Sequence, residues 1–478
     1  MAFTSPTFIA FILAVVLLTS LAPSPAGRAT VLFVANLVFI GSYVTSPVQL
    51  APLAVFLAMC WGLVEAVRRT RSGAVMAGGL VAVIATFIVL KKFSFLGDGL
   101  VLPFPYLLVG LSYILFRVLH LMVDAKQGEL PEAVSPFRFF NYTCNFLSFT
   151  AGPIQRYGDH LEQSRRPLAL DEDIVYRAFA RTIVGFVKVG VVSAIFNYLF
   201  DNLSTRILAD VAPSWPVYCA IYVAAAVAYT VYLYANFSGY MDIVIGVGRL
   251  MGQDLPENFN QPFLARNFLD FWARWHMTLS DWFKTYVFNP LLKVLASRFT
   301  SAKAGPYLGV VAFFVTFLIM GVWHGTTAVF VVYGLLMGAG ASVNKLWQVM
   351  AVKRFGKKAY KAFCERTAVI CFSRGLTLAY FAFALTCLWV DMDQLLSLLR
   401  HLGVAGVLLG YLGLAAASGL AFFAWDTVTA WAAPLRAGAA SVSGGVVARN
   451  LVLALQILLI VTVASFFHKA PEFVYRAF

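Results

Sequence analysis

The sequence predicts an all-α, polytopic membrane protein. Hydrophobic residues make up 61% of the chain and charged residues only 12%, whereas a soluble domain carries about 25% charged residues. Stretches of roughly 20 apolar residues, the length that a helix needs to cross a bilayer, occur about eleven times. The stretches lack the alternation over roughly ten residues that marks a membrane β-barrel. No repeat of fixed period is visible, so we expect a single membrane-embedded domain over residues 1–478, with re-entrant or interfacial helices between the spans.

Basic residues orient the spans. The net charge is +14, and clusters lie between apolar runs at residues 68–71 and 353–361. Cytoplasmic loops of membrane proteins are rich in Lys and Arg, so we interpret these clusters as cytoplasmic and expect no nucleic-acid partner. The apolar run 8–21 has no positive charge before it, unlike a signal peptide. We therefore expect it to be the first span, with the N-terminus outside.

Cysteine spacing favours neither a disulfide framework nor a zinc site, since no CxxC pair occurs. The six cysteines are scattered: Cys60, Cys144, Cys219, Cys364, Cys371 and Cys387. The sequence also lacks a phosphate-binding loop, a dinucleotide fingerprint and a nucleophile elbow. We expect no metal site and no permanently bound cofactor.

Two polar features interrupt the apolar pattern before residue 260. Residues 135–167 alternate between aromatic and polar and contain a Gly152-Pro153 break, which suits an interfacial or re-entrant segment packed within protein. Asp242 lies in apolar surroundings, where a carboxylate is expected to have a partner and is a functional candidate. A structural pairing of Asp242 with an arginine explains its position equally well.

Charges crowd together near residue 276. They are Arg266, Asp270, Arg274, Asp281 and Lys284. Each would cost roughly 2.5 to 3.5 kcal/mol at the centre of a lipid-exposed helix. This segment must therefore lie at the interface or be wrapped by other helices around a wet cavity.

Helical spacing predicts two patterns within this segment. On one helix, a single face would carry Trp272, Trp275, His276 and Leu279. Arg266, Asp270 and Arg274 would stack at intervals of four residues and form a charge ladder.

His276 and His324 are the candidate catalytic residues, and each directly follows a tryptophan. His324 lies in an apolar run, which predicts a position at membrane depth. A neutral imidazole there can accept a proton from a hydroxyl, and general-base catalysis contributes about 10²–10⁴-fold in rate. A structural hydrogen-bonding role stays open for both. Their separation carries no metal-ligand signature. The remaining histidines are expected to be structural: His120, His160, His401 and His468.

Several motifs in fixed order resemble the membrane-bound O-acyltransferase family, in its bacterial branch that acylates cell-surface polymers. They are FWARWHMTLSDWFKTYVF, then MGVWHG and VYGLLMGAG, with AGPIQRY, NFSGYMDIVIGVGRLMG and NFNQPF before them and the looser PEFVYRAF at the end. The resemblance suggests a catalytic core over about residues 101–347, with peripheral helices in 1–100 and 370–478.

Two groups within that branch compete. The WHMTLSDWF run and the Val331-Tyr333-Gly334 positions are similar to membrane proteins of teichoic-acid D-alanylation. AGPIQRY and the Gly128-to-Pro131 turn are similar to alginate-type O-acetyltransferases, although NPLLKVL replaces the usual Pro-Leu-Gly-Gly link. The acyl group, acetyl or D-alanyl, stays open at this point.

The resemblance implies a ring of helices around a central tunnel, with His324 catalytic and His276 the second functional histidine. His324 would deprotonate the acceptor hydroxyl or relay the acyl group covalently. Supporting positions along the tunnel are assigned to Trp323, Trp275, Arg274, Asp270, Asp242, Ser280 and Asn236.

The resemblance also implies the substrates and the location. A cytoplasmic acyl thioester, either acetyl coenzyme A or an acyl carrier protein, would be the donor. An extracytoplasmic glycan would be the acceptor, with a periplasmic or surface transferase as a further partner. The protein would be multi-pass in the inner, cytoplasmic membrane. Alternatives are a transporter or flippase for a lipid-linked glycan, or an acyltransferase acting on a lipid or a secreted protein.

Overall fold

The computed structural model describes residues 1, 5–94, 102, 104–130, 132–209, 211, 214–301, 303–441 and 446–466. Nearly all of these residues are helical, and their only β contact is an isolated bridge between Phe259 and Trp275. The all-α prediction is therefore confirmed. His468 and the motif at 471–478 lie outside the described residues.

The helices follow one another with short connections. In the first half they are α1 (Pro6–Leu21), α2 (Pro25–Gly41), α3 (Ala51–Thr70), α4 (Gly73–Lys91), α5 (Leu111–Gln127), α6 (Pro136–Thr143), α7 (Tyr157–Arg165), α8 (Glu172–Val187), α9 (Ala194–Leu208) and α10 (Trp215–Leu250). In the second half they are α11 (Phe268–Trp272), α12 (Met277–Phe283), α13 (Asn289–Arg298), α14 (Gly305–His324), α15 (Ala328–Phe355), α16 (Lys357–Cys364), α17 (Thr367–Ala384), α18 (Met392–Ser441) and α19 (Val446–Phe466).

Serine-proline pairs start several helices. Ser5, Ser24 and Ser135 each accept a hydrogen bond from a backbone N–H of the first turn, and a proline follows each of them. A serine oxygen satisfies an N–H that has no partner within the helix, and proline has its backbone angle preset for the first helical position. These local signals fix where α1, α2 and α6 begin.

Eight helical stretches of the described residues are long and apolar enough to cross a membrane: Pro47–Thr70, Gly73–Lys91, Glu172–Leu208, Trp215–Leu250, Gly305–His324, Ala328–Phe355, Thr367–Leu388 and Met392–Ala432. Three shorter apolar helices lie at Pro6–Leu21, Pro25–Gly41 and Arg449–Ser465. Together they confirm a multi-pass membrane protein with about the number of apolar helices that the sequence predicts.

The chain divides into two compact units by its internal contacts. The first contains residues 1–190 and 236–257, and the second contains 191–235 and 258–467. Both candidate catalytic histidines belong to the second unit. The predicted core boundaries at 101 and 347 stay a prediction.

In the first unit, the polar stretch after α5 folds around a buried arginine. Arg117 is 1% exposed, and its guanidinium donates to the carbonyl oxygens of Thr143 at 2.7 Å and Ser148 at 2.6 Å. These carbonyls lie at and beyond the end of α6, where a helix leaves acceptors unsatisfied. The stretch is thus packed within protein and is not a span, as its interrupted pattern predicts.

Asp242 links α8 to α10 in the same unit. Its carboxylate accepts from Arg181 at 3.0 Å and from Lys188 at 2.6 Å. Arg181 also pairs with Glu257 at 2.5 Å. The expected partner is confirmed, and the geometry supports the structural interpretation of Asp242. Its assignment to a tunnel stays a prediction.

In the second unit, α14 and α15 pack through glycines. A Cβ atom added at Gly321 would lie 2.1 Å from the Cα of Gly334, and one at Gly338 would lie 2.9 Å from the carbonyl oxygen of Phe314. Gly340 is crowded in the same way by Tyr380 at 2.5 Å. The prediction that the glycines near 334–340 permit close helix packing is confirmed.

We predict that Gly321→Ala destabilises the protein, because the new methyl group has no room against Gly334. Overpacking of this kind costs about 1–3 kcal/mol, which a lower melting temperature of the detergent-purified protein will report. Gly78→Ala is the matched control, since nothing lies within 4 Å of a Cβ at that helical position. There the reduced chain entropy should raise stability slightly. Equal effects of the two substitutions would contradict the close seam.

We also predict that Asp242→Asn destabilises the first unit by about 3 kcal/mol, because it removes the charge that Lys188 and Arg181 share. The measurement is the melting temperature, with Asp201→Asn as the control. Asp201 is exposed and contacts the amide of Asn197, so its neutralisation should have little effect. A melting temperature unchanged by Asp242→Asn would show that the ion pairs do not hold α8 to α10.

Candidate active site

The segment that carries His276 is not one continuous helix. His276 separates α11 from α12 and has φ 45° and ψ 54°, in the left-handed region. A residue other than glycine there costs of order 1 kcal/mol and persists only where its surroundings hold it. The prediction of a single helical face is therefore wrong, because the backbone changes hand at the histidine. Its four members are nonetheless all buried: Trp272, Trp275, His276 and Leu279.

Long-range backbone pairing produces this break. The Met277 amide donates to the carbonyl of Asn258 at 2.9 Å, and the Asn260 amide donates to the carbonyl of Arg274 at 2.9 Å. These bonds satisfy backbone groups that a continuous helix would have paired internally. The loop around His276 is thus fixed by a stretch that precedes it by some fifteen to twenty positions in the sequence.

The side chain of Asn258 determines which nitrogen of His276 carries the proton. Asn258 Oδ1 accepts from the backbone N–H of Thr278 at 3.1 Å, from the Thr278 hydroxyl at 2.9 Å and from His276 Nδ1 at 3.1 Å. A backbone N–H can only donate, so the shared atom must be the amide oxygen. Nδ1 therefore carries the proton, and Nε2 of the neutral ring keeps its lone pair. Asn258 is fully buried.

The environment of His276 favours the neutral ring. Burial removes the imidazole from water and, together with the nearby charge of His324, lowers the pKa of His276 well below its ordinary value of 6.5. The ring is 1% exposed. His276 is therefore a neutral base near pH 7, close enough to His324 for the two to interact electrostatically.

Aromatic rings support this loop from behind. Trp275 stacks on Phe271 with centroids 5.5 Å apart, and Phe381 and Phe259 contact it at 4.9 and 5.1 Å. Such pairs are each worth about 0.5–1.5 kcal/mol beyond their buried area. Trp275 therefore serves packing in this structure.

His324 is the last residue of α14 and is 6% exposed. Its ring lies 4.8 Å from that of Trp323 and 5.6 Å from that of Tyr333, centroid to centroid. Gly325 follows with an extended backbone, and a Cβ there would lie 2.1 Å from the Phe330 ring. The close turn into α15 thus ends the helix at the histidine and fixes where its side chain lies.

The charged residues of the segment only partly form the predicted ladder. Arg274 pairs with Asp270 at 2.9 Å, as expected. Arg266 contributes its backbone N–H to Asp270 at 2.8 Å, while its side chain lines a different cavity. The ladder is therefore wrong at Arg266. The Ser280 hydroxyl donates to the carbonyl of Trp275 at 3.3 Å, and Asp281 and Lys284 are exposed.

The remaining predicted site residues belong to the first unit. Asn236 is fully buried on α10, two turns before Asp242. Their roles stay predictions. Asn258, by contrast, has a clear position beside His276 that the sequence did not reveal. Across the described ranges, no three His, Cys, Asp or Glu side chains form a group that could hold a metal ion.

Comparison with known proteins adds a family match. Residues 39–362 match the model of the membrane-bound O-acyltransferase family. The chain is 30% identical to a teichoic acid D-alanyltransferase of Bacillus subtilis, over 56% of this chain and 67% of the relative. It is also 30% identical to a teichoic acid D-alanyltransferase of Streptococcus thermophilus, over 50% and 57% of the two chains. A probable alginate O-acetylase of Pseudomonas aeruginosa is 29% identical, over 55% and 47%. The chain thus matches about half the length of the latter two.

We predict that Asn258→Asp changes how stability depends on pH. The pKa of His276 is depressed in the folded protein, so stability is lost as pH falls below about 6.5, the ordinary value for histidine. A carboxylate at position 258 would stabilise the imidazolium and raise that pKa. The melting temperature of the variant should therefore fall less between pH 7.5 and pH 5.5 than that of the wild type.

Asn260→Asp is the control for this experiment. Asn260 is exposed, so its substitution adds the same charge two residues away without replacing the acceptor of His276 Nδ1. Its pH dependence should follow that of the wild type. Identical pH profiles for all three proteins would contradict the contact between Asn258 and His276.

Proposed function

This chain belongs to the membrane-bound O-acyltransferase family, and on that basis we propose that it moves an acetyl or D-alanyl group from a cytoplasmic thioester donor to hydroxyls of a cell-surface or exported polysaccharide. By family it is an O-acyltransferase, and its apolar helices make it a multi-pass membrane protein. Acetyl coenzyme A or an acyl carrier protein would serve as a co-substrate. We place the protein in the inner, cytoplasmic membrane.

One observation carries this proposal: two buried imidazoles lie close enough to interact, and one of them is held in a defined tautomer. His276 donates from Nδ1 to Asn258 at 3.1 Å, and the charge of His324 contributes to lowering the pKa of His276. Because His276 resists protonation, it does not repel a positive charge that forms on His324. The pair can therefore accept one proton without the cost of two adjacent imidazolium ions.

In the proposed reaction, His324 is the general base. Its imidazole accepts the proton of the acceptor hydroxyl while the hydroxyl oxygen forms a bond to the thioester carbonyl carbon. The tetrahedral intermediate then collapses, the carbon–sulfur bond breaks, and the leaving thiolate takes the proton from the imidazolium. The products are an ester and a free thiol, and the enzyme returns to its starting state.

Donor and acceptor occupy opposite sides of the membrane, which explains why the base would lie deep in the protein. We propose that a tunnel reaches His324 from both sides and that His276 lines it. Trp323, Trp275, Arg274, Asp270 and Ser280 would support this passage in the second unit, and Asn236 and Asp242 would do so in the first. A periplasmic or surface transferase would complete delivery to the polymer.

Acyl transfer is favoured over transport of a lipid-linked glycan. Relatives of both kinds named above, the D-alanyltransferases and the probable O-acetylase, are named for acyl chemistry. Either acyl group is small, and either acceptor is a polyhydroxylated polymer. The two differ in the acyl group, which mass analysis separates directly.

We predict that His324→Ala lowers acylation of the host's surface glycans by at least about 10²-fold, the typical contribution of a general base. His276→Ala should cause a comparable loss. Acyl groups released from the glycans by mild base are identified and quantified by mass spectrometry. Acetyl and D-alanyl products have different masses, so the same measurement identifies the donor class.

His401→Ala is the matched control, since His401 lies in the same unit, is exposed and contacts Ser397. It should leave acylation unchanged. All three variants must show a wild-type melting temperature before activities are compared. Undiminished acylation in a folded His324→Ala variant would overturn the proposed role of this residue, and a glycan export defect without loss of acyl groups would favour transport.

A further inference from the structure

A large apolar cavity lies in the second unit, away from the candidate histidines. Its volume is about 800 Å³, within the range of about 300–1,000 Å³ that small-molecule sites occupy. It is bounded by α15, α16, α17 and the residues just before α11, and neither His276 nor His324 is among the residues that line it. The lining is largely hydrophobic and includes Trp347, Phe363, Ile370, Leu376 and Tyr380.

One wall of the cavity is the amphipathic helix α16. Tyr360, Phe363 and Cys364 line the cavity, and their spacing of three and four residues places them on one face. Lys358 and Lys361 fall outside that face and are exposed. A helix with a basic polar face and an aromatic apolar face lies in the interfacial plane of a membrane.

The exposed surface at this wall is strongly basic. Its exposed cations are Lys353, Arg354, Lys357, Lys358, Lys361 and Arg366. The one carboxylate between positions 353 and 366 is Glu365, 3.8 Å from Lys361. Basic clusters mark the cytoplasmic side of a membrane protein, where the leaflet carries anionic lipids that attract them.

Arg266 adds a second, independent sign of an anion. Its side chain lines the same cavity and is exposed. Within the described ranges of the chain, no carboxylate lies within ion-pair distance of its guanidinium. Asp270, the nearest acidic residue in sequence, pairs instead with Arg274. A guanidinium presents a planar set of donors that matches a phosphate.

We propose that this cavity binds an anionic glycerophospholipid of the cytoplasmic leaflet. An acyl chain occupies the apolar interior along Phe363, Ile370 and Leu376, and the phosphate is held by Arg266 and the lysines of α16. The combination of an apolar cavity and an adjoining surplus of cations matches both parts of such a lipid. Binding involves no chemical step and is independent of the acyl transfer proposed above.

The test uses the full-length protein in lipid nanodiscs that contain a photoactivatable phosphatidylglycerol or the matching phosphatidylcholine. Crosslinks should map to α16 and α17, with phosphatidylglycerol favoured at least fivefold, since each basic residue near an anionic surface contributes roughly that factor. Replacing Arg266, Lys357, Lys358 and Lys361 by Gln should remove this preference. Ala368→Trp should reduce crosslinking of both lipids, because Ala368 lines the cavity.

A control variant changes Lys293, Arg298 and Lys303 to Gln, which removes three exposed cations that do not line the cavity. It should keep the wild-type preference, and every variant must keep the wild-type melting temperature. Equal crosslinking of the two lipids, or crosslinks spread evenly over the exposed faces of α18, would overturn the proposal. Loss of crosslinks in millimolar inorganic phosphate, or displacement by a long-chain acyl coenzyme A that is then consumed, would assign the cavity to a different ligand and likewise overturn it.

Discussion

The candidate active site depends on one buried acceptor, the amide oxygen of Asn258. It takes hydrogen bonds from the backbone and hydroxyl of Thr278 and from Nδ1 of His276. The backbone donor fixes the orientation of the amide, the amide fixes the tautomer of the imidazole, and burial keeps that imidazole neutral. In a low-dielectric interior such bonds are strong when made and costly when missing. A single side chain thus determines both the position and the proton state of the second histidine, and it stabilises the left-handed backbone on which His276 is displayed.

The same electrostatic rule separates structural charge from charge that faces a ligand. Arg117 is buried and donates to two carbonyls, and Asp242 is enclosed by Arg181 and Lys188. Each of these groups has its partners within the protein, as burial requires. The cations of α16 and the side chain of Arg266 are different, because they are exposed beside an apolar cavity and greatly outnumber nearby carboxylates. In a membrane protein, a surplus of that kind at the interface is satisfied by lipid phosphate.

Local signals predicted most of the fold, whereas long-range pairing decided the site. Apolar run length identified the spans, and glycine spacing predicted the close packing at Gly334 and Gly338, since both depend on residues near in sequence. The density of charge around Asp270 and Arg274 correctly excluded a lipid-exposed span. The break at His276 was missed because its cause, the pairing of residues 258–260 with 274–277, joins separate segments. Asn258 was missed for the same reason, and Arg266 was misplaced because its backbone, rather than its side chain, contacts Asp270.

Both histidines lie at helix ends rather than in helix interiors, and this placement has a mechanical consequence. His324 ends α14 one turn after Gly321, and Gly321 lies directly against Gly334 of α15. The seam leaves no space for the two helices to slide, so the imidazole is held by backbone packing and not by its own contacts alone. His276 is held by a second rigid device, the backbone pairing to Asn258. A site built from two such independently fixed ends can keep its imidazoles at a constant separation while the surrounding helices adjust to lipid, which is what proton transfer between defined atoms requires.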